Sequence, residues 1–166
     1  MKSLLSVLII AAIVAFSGAN PTTFPQPQAL ESFKLNETVN QNQASCSYRV
    51  TIKTSCSSPR YTRDQISLSF GDANGNQVYA PRIDDPSSRA FERCSTDTYD
   101  IHGPCTYQVC YLYVYRSGYD GWKPEKITVS GYYSRAITFY YNTFIPNGIW
   151  YGFNLCHNYV VSKATE

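Results

Sequence analysis

Within residues 46–156, several short stretches carry apolar side chains at every second position. In "YRVTIK", Tyr48, Val50 and Ile52 alternate with Arg49, Thr51 and Lys53; in "QISLSF", Ile66, Leu68 and Phe70 alternate with Gln65, Ser67 and Ser69. A period of two sends one set of side chains into a core and the other into water, so both stretches predict half-buried strands. "CYLYVYR" alternates too, with Cys110, Leu112 and Val114 on one face and Tyr111, Tyr113 and Tyr115 on the other. Along "IWYGFNL", Ile149, Tyr151, Phe153 and Leu155 share a face. Further strands are expected at about 77–80, 96–101, 107–116, 126–131, 136–144 and 148–155. "GDANGN" and "IPNG" are turn signals between them. No ten-residue window has a helical period. The pattern predicts an all-β fold: an eight-stranded antiparallel β-sandwich forming one domain.

The ends of the chain have a different texture. Lys2 precedes the apolar run Leu4 to Phe16, and Ser17 and Ala19 are small. Residues 1–19 therefore read as a signal peptide cleaved after Ala19, which directs the chain to the secretory pathway or outside the cell. Residues 20–45 are rich in Pro, Gln, Asn and Thr and read as a flexible N-terminal arm, with "ALESF" forming at most one helical turn. Asn36-Glu37-Thr38 in that arm is a glycosylation sequon. Residues 157–166 form a C-terminal tail.

Charge narrows the choice of partners. Removing Lys2 with the leader leaves thirteen basic residues against twelve acidic ones. Arg60, Arg63, Arg89, Arg93 and Arg116 are scattered among acids and read as a mixed solvated surface. There is no basic stripe for nucleic acid and no polybasic segment.

All six cysteines, Cys46, Cys56, Cys94, Cys105, Cys110 and Cys156, follow the leader. An even count in a secreted chain predicts three disulfides. Zinc is the weaker alternative, because there is no CxxC and the two histidines flank no cysteine pair at ligand spacing. All fifteen pairings are open. The preferred set joins Cys46 to Cys156, bracketing the first and last strands, closes a local loop with Cys105 and Cys110, and leaves Cys56 with Cys94.

Five stretches, "YRVTIKTS", "RDQISLSFGDANGN", "FERCSTDTYDI", "CYLYVYRSGYDGWKPEKITV" and "TFYYNTFIPNGIWYGF", occur in the order of a known family. The chain resembles the PLAT, or lipoxygenase-homology, β-sandwich. More narrowly it resembles secreted plant embryo-specific proteins made of a signal peptide and one such domain. The resemblance implies a non-catalytic accessory module that docks on membranes or proteins, in some cases with calcium and exposed aromatics, and an association with seed, embryo or stress. It also implies that Cys110, Leu112 and Val114 face inward, so that Leu112 and Val114 should be buried and at least two of the three tyrosines should not.

Candidate chemistry is sparse. His102 and His157 stand outside any nucleophile-elbow, HExxH or phosphate-loop motif, and the chain is expected not to be an enzyme. Asp64, Asp84, Asp85 and Asp120 are the loop acids that could serve calcium, an ion that takes six to eight oxygens. Asp64 matches the family's loop aspartate, but many members carry His-Asp where this chain has Arg116-Ser117, with the acid displaced to Asp120. Trp122 and Trp150 fall on tryptophans of the family pattern, so the resemblance implies that they pack structurally, and Tyr119 with Asp120 in "SGYDG" reads as the ligand or membrane loop. The expectation is a monomer that requires no cofactor and recognises lipid, a membrane surface or a protein partner. A carbohydrate- or wall-binding module is the alternative, since tyrosine and tryptophan stack on sugars.

Overall fold

A computed structural model describes residues 24–34, 44–84, 87–131 and 133–157. The expected signal peptide at residues 1–19, the sequon at Asn36, Asp85 and most of the C-terminal tail lie outside the described residues. Among the described residues, nine strands run in chain order: β1 Gln28–Leu30, β2 Ser45–Thr54, β3 Gln65–Gly71, β4 Gln77–Ala80, β5 Thr96–Pro104, β6 Tyr111–Ser117, β7 Pro124–Gly131, β8 Ser134–Tyr140 and β9 Trp150–Asn154. They form two sheets, ordered β1-β9-β6-β3-β4 and β5-β2-β7-β8, with every strand pairing antiparallel.

The period-two sets face one another across the two sheets. Tyr48, Val50 and Ile52 from β2 meet Ile66, Leu68 and Phe70 from β3, and all are buried. Leu112 and Val114 are fully buried, while Tyr111 and Tyr115 stay half-exposed, as the inward register of β6 requires. Trp122 is also fully buried, against Phe91.

Three expectations change. Part of the arm is ordered, because Gln28–Leu30 pairs with Gly152 to Trp150 and covers the otherwise open edge of β9. Behind it Phe33 lies on the Trp150 and Tyr113 rings, at 4.5 and 5.5 Å between centroids, which buries Tyr113. The strand expected from residue 107 begins at Tyr111 instead, because the backbone before it serves loop contacts: Thr106 N–H donates to the Tyr48 hydroxyl and Tyr107 N–H to Asp72.

The third change is the disulfide pairing. Cys56 joins Cys94 as expected, but Cys46 pairs with Cys105 and Cys110 with Cys156. Strand order explains this. Because β2 lies beside β5, with Cys46 opposite Gly103, Cys105 arrives next to Cys46. Because Tyr111 pairs with Asn154, Cys110 and Cys156 flank the same β6–β9 ladder. Peptide mapping without reduction should recover these three pairs, and a Cys105–Cys110 peptide would contradict the topology.

Candidate functional site

The registers put four loops at one end of the sandwich. Thr54 pairs with Pro124, Gln65 with Ser117, Lys53 with Thr96 and Tyr115 with Trp150. The β2–β3, β4–β5, β6–β7 and β8–β9 connections therefore leave from the same edge of both sheets. A buried ion pair lies beneath them. Arg116 continues the inward row of Leu112 and Val114 to the penultimate position of β6, so its stem enters the core and its guanidinium reaches the loop layer. There Nη1 donates to Asp64 Oδ2 and, at 3.2 Å, to the Gly118 carbonyl, while Nε donates to the Ile145 carbonyl at 2.8 Å. The reading of Arg116 as a solvated surface residue is thus corrected, since it is buried with Asp64.

Asp64 ties the "SGYDGW" loop down. Its Oδ1 accepts Asp120 N–H at 3.0 Å and its Oδ2 accepts Gly121 N–H at 2.9 Å. A carboxylate that accepts backbone N–H groups and a guanidinium is well satisfied despite burial. The loop passes so close that a Cβ on Gly118, whose φ is +153°, would lie 2.0 Å from Asp64 Oδ1. Only glycine fits there.

Asp120 forms a second, outer pair. Arg63 reaches it through its backbone N–H at 2.9 Å, Nε at 3.1 Å and Nη2 at 3.3 Å. The side-chain bonds from Arg63, with its backbone bond, hold the Asp120 carboxyl below the ordinary carboxylate value. A depressed value means this tether is fully present above the ordinary carboxylate value, about pH 4, and is lost as pH falls below that and through the depressed folded value. Arg63→Ala should move the Asp120 titration upward in an NMR pH series; an unmoved titration would contradict the pairing.

Asp84 is separate, accepting Ile66 N–H at 2.8 Å and Arg82 Nη2 at 3.1 Å. Among the described residues, no group of three or more His, Cys, Asp or Glu side chains is placed to hold a metal ion. His102 pairs across from Ser47 and His157 follows β9, so both lie toward the opposite end.

Above this layer the loop tips are apolar and exposed. Tyr119 is fully solvent-exposed, and Tyr61, Phe144 and Ile149 stand out from the β2–β3 and β8–β9 loops. The Arg63 guanidinium lies 5.7 Å from the centre of the Tyr61 ring, and Lys123 Nζ lies 5.9 Å from that of Phe144. Sequence reasoning found Tyr119 but missed Tyr61, Phe144 and Ile149. The alternation puts Ile149 on one strand face with Tyr151, Phe153 and Leu155, whereas the strand starts one residue later.

Comparison with known proteins agrees with this architecture. A family model described as Embryo-specific protein 3 (ATS3) matches residues 32–156. Two Arabidopsis thaliana proteins, Embryo-specific protein ATS3A and Embryo-specific protein ATS3B, are each 51% identical to the chain. The alignments cover 98% of this chain and 90% of the first protein, and 88% of this chain and 76% of the second. Among solved structures, a lipoxygenase variant (Delta413-417:GS LOX) aligns with a TM-score of 0.57 at 17% identity, over 67% of this chain and 16% of that one. Coral 8R-lipoxygenase, described as calcium-activated through a C2-like domain, aligns at 0.54 and 16%, over 64% of this chain and 17% of that one. The alpha toxin from Clostridium absonum gives 0.54 and 20%, over 70% of this chain and 33% of that one. The chain thus spans about a sixth of each lipoxygenase, and the likeness is one of fold. With its sandwich built like the lipoxygenase PLAT domain, the chain belongs to the embryo-specific protein 3 (ATS3) family of plants.

Proposed function

We propose that the chain is a non-catalytic recognition module of the plant secretory pathway, and that it docks on a lipid surface through the loop end of its sandwich. The observation that carries this reading is the convergence of Tyr61, Tyr119, Phe144 and Ile149 from three loops, all exposed, beside exposed Arg60 and Arg63 and half-buried Lys123. Aromatic rings partition to the water–bilayer interface, and nearby cations favour anionic headgroups. The ion pair beneath holds the loops in place, so little ordering entropy is lost on contact.

Two features support lipid over carbohydrate. Sugar stacking needs an open, flat aromatic face. The tyrosine face of β6 is folded on itself, with Trp150 lying between Phe33, Tyr115 and Tyr79 at tilted or edge-on angles. The loop tips, by contrast, project from the body on separate connections.

Flotation of the mature protein with phosphatidylcholine–phosphatidylserine vesicles, run beside pull-down with cell-wall polysaccharides, tests this reading. Co-flotation with vesicles is expected. Retention on a wall polymer without vesicle binding would sink it, as would capture by neither.

A further inference from the structure

A fold shared with a calcium-activated lipoxygenase raises the question of whether these loops are built for calcium. The ion needs six to eight oxygens at about 2.3–2.6 Å, mostly carboxylate and carbonyl oxygens with free lone pairs. The three described loop acids, Asp64, Asp84 and Asp120, do not fit that demand. Asp64 gives Oδ1 to Asp120 N–H and Oδ2 to Gly121 N–H and Arg116. Asp120 gives both oxygens to Arg63. Asp84 gives one to Ile66 N–H and the other to Arg82. Each of these three loop carboxylates therefore has its own guanidinium: Arg116 for Asp64, Arg63 for Asp120 and Arg82 for Asp84.

A calcium ion entering between Asp64 and Asp120 would have to strip N–H donors from both and sit beside two positive groups. Arg63 is exposed and could swing away, but Arg116 could not. Its stem belongs to the inward row of β6, and its Nε and Nη1 also hold the Ile145 and Gly118 carbonyls. Moving it would open the core beside Val114 and release the β8–β9 loop.

We infer that Arg116 serves as the loop end's own permanent cation, so that this end takes no calcium and docks on anionic surfaces independently of it. The metal part stands alone, whereas the docking part rests on the lipid reading above. In this arrangement Asp64 organises the β6–β7 loop in response to a guanidinium fixed by the fold. Docking is then constitutive, and attraction to the surface comes from Arg60, Arg63 and Lys123.

Two measurements on the mature protein keep the parts distinguishable. The first uses no lipid: calorimetric titration with calcium chloride, and thermal melting in millimolar calcium against EGTA. No saturable heat and an unchanged melting temperature are expected. Saturable binding with a raised melting temperature would overturn the metal inference whether or not lipid binds. The second is vesicle flotation with phosphatidylcholine alone or mixed with phosphatidylserine, in EGTA or calcium. The same phosphatidylserine-dependent binding is expected in both. It should fall as salt rises from about 0.1 M to about 1 M, where the screening length shrinks from about 10 Å to about 3 Å. A tenfold rise with calcium, about 1.4 kcal/mol, would overturn calcium-independent docking. Failure to bind any vesicle would remove the lipid reading and leave the first measurement to decide the metal part.

Discussion

Arg116→Ala is expected to destabilise the fold by about 3–5 kcal/mol, the range for removing one partner of a buried ion pair. The change leaves Asp64 among the least exposed side chains, with its charge no longer matched. It also takes the donor from the Ile145 and Gly118 carbonyls. The two backbone N–H groups still on Asp64 soften the loss, so the lower half of the range is the better expectation. A melting-temperature drop of about 10 °C corresponds to that loss in a domain of this size. Arg116→Lys should recover only part of it, because one ammonium cannot reproduce a fork whose Nε and Nη1 serve different loops. In a double-mutant cycle with Asp64→Asn, the two changes should be non-additive by about 0.5–3 kcal/mol. Additive losses, or a variant as stable as the parent, would show that the pair does not hold the loop end together.

The second large effect lies one layer deeper. Trp122→Ala should cost about 3–5 kcal/mol, as for a large buried aromatic whose site cannot collapse. Trp122 is fully buried, its ring centre lies 5.0 Å from that of Phe91, and its indole N–H donates to the buried Thr54 hydroxyl at 3.1 Å. Its carbonyl accepts Ile145 N–H at 3.0 Å, which links the β6–β7 loop to the β8–β9 loop. Truncation therefore opens a void between the sheets, strips Thr54 of its donor and loosens two of the loops that carry the exposed rings. Trp122→Phe keeps most of the ring and loses the hydrogen bond, so its loss should be smaller. Urea unfolding should show a lower midpoint at an unchanged slope. A loss under about 1 kcal/mol for the alanine variant would contradict the packing of this residue.

These residues were unequally legible in the sequence. The two faces of β6 could be read because alternation is local, but it was the family resemblance that said which of them points inward. Trp122 was read correctly as a packing residue through the same resemblance, because it falls on a structural tryptophan of the family pattern just before β7. Arg116 was misread as a solvated charge, although it stands at the next inward position after Leu112 and Val114. A charge that continues an apolar row was the available signal, and it points to a buried partner. The short strand β1 left no signal at all, since three residues pairing through their backbones need no side-chain pattern. The disulfide partners and the convergence of Tyr61, Tyr119 and Phe144 were illegible for a common reason. Both depend on which strands are neighbours, and alternation within one strand says nothing of its neighbours.

The lipid-docking reading is decided most directly by comparing the two ends of the sandwich. The opposite end also carries exposed rings, Tyr107 and Tyr133, and so supplies a matched control. A variant with Tyr61→Ser, Tyr119→Ser and Phe144→Ser should keep the parent's melting temperature, because all three rings are exposed, yet lose about tenfold or more in vesicle partition, each aromatic adding a fraction of the 1.5–3 kcal/mol of full burial. The Tyr107→Ser, Tyr133→Ser variant should bind as the parent does. Equal binding by the loop-end variant and the parent, or a greater loss from the opposite-end variant, would contradict docking through the loop end.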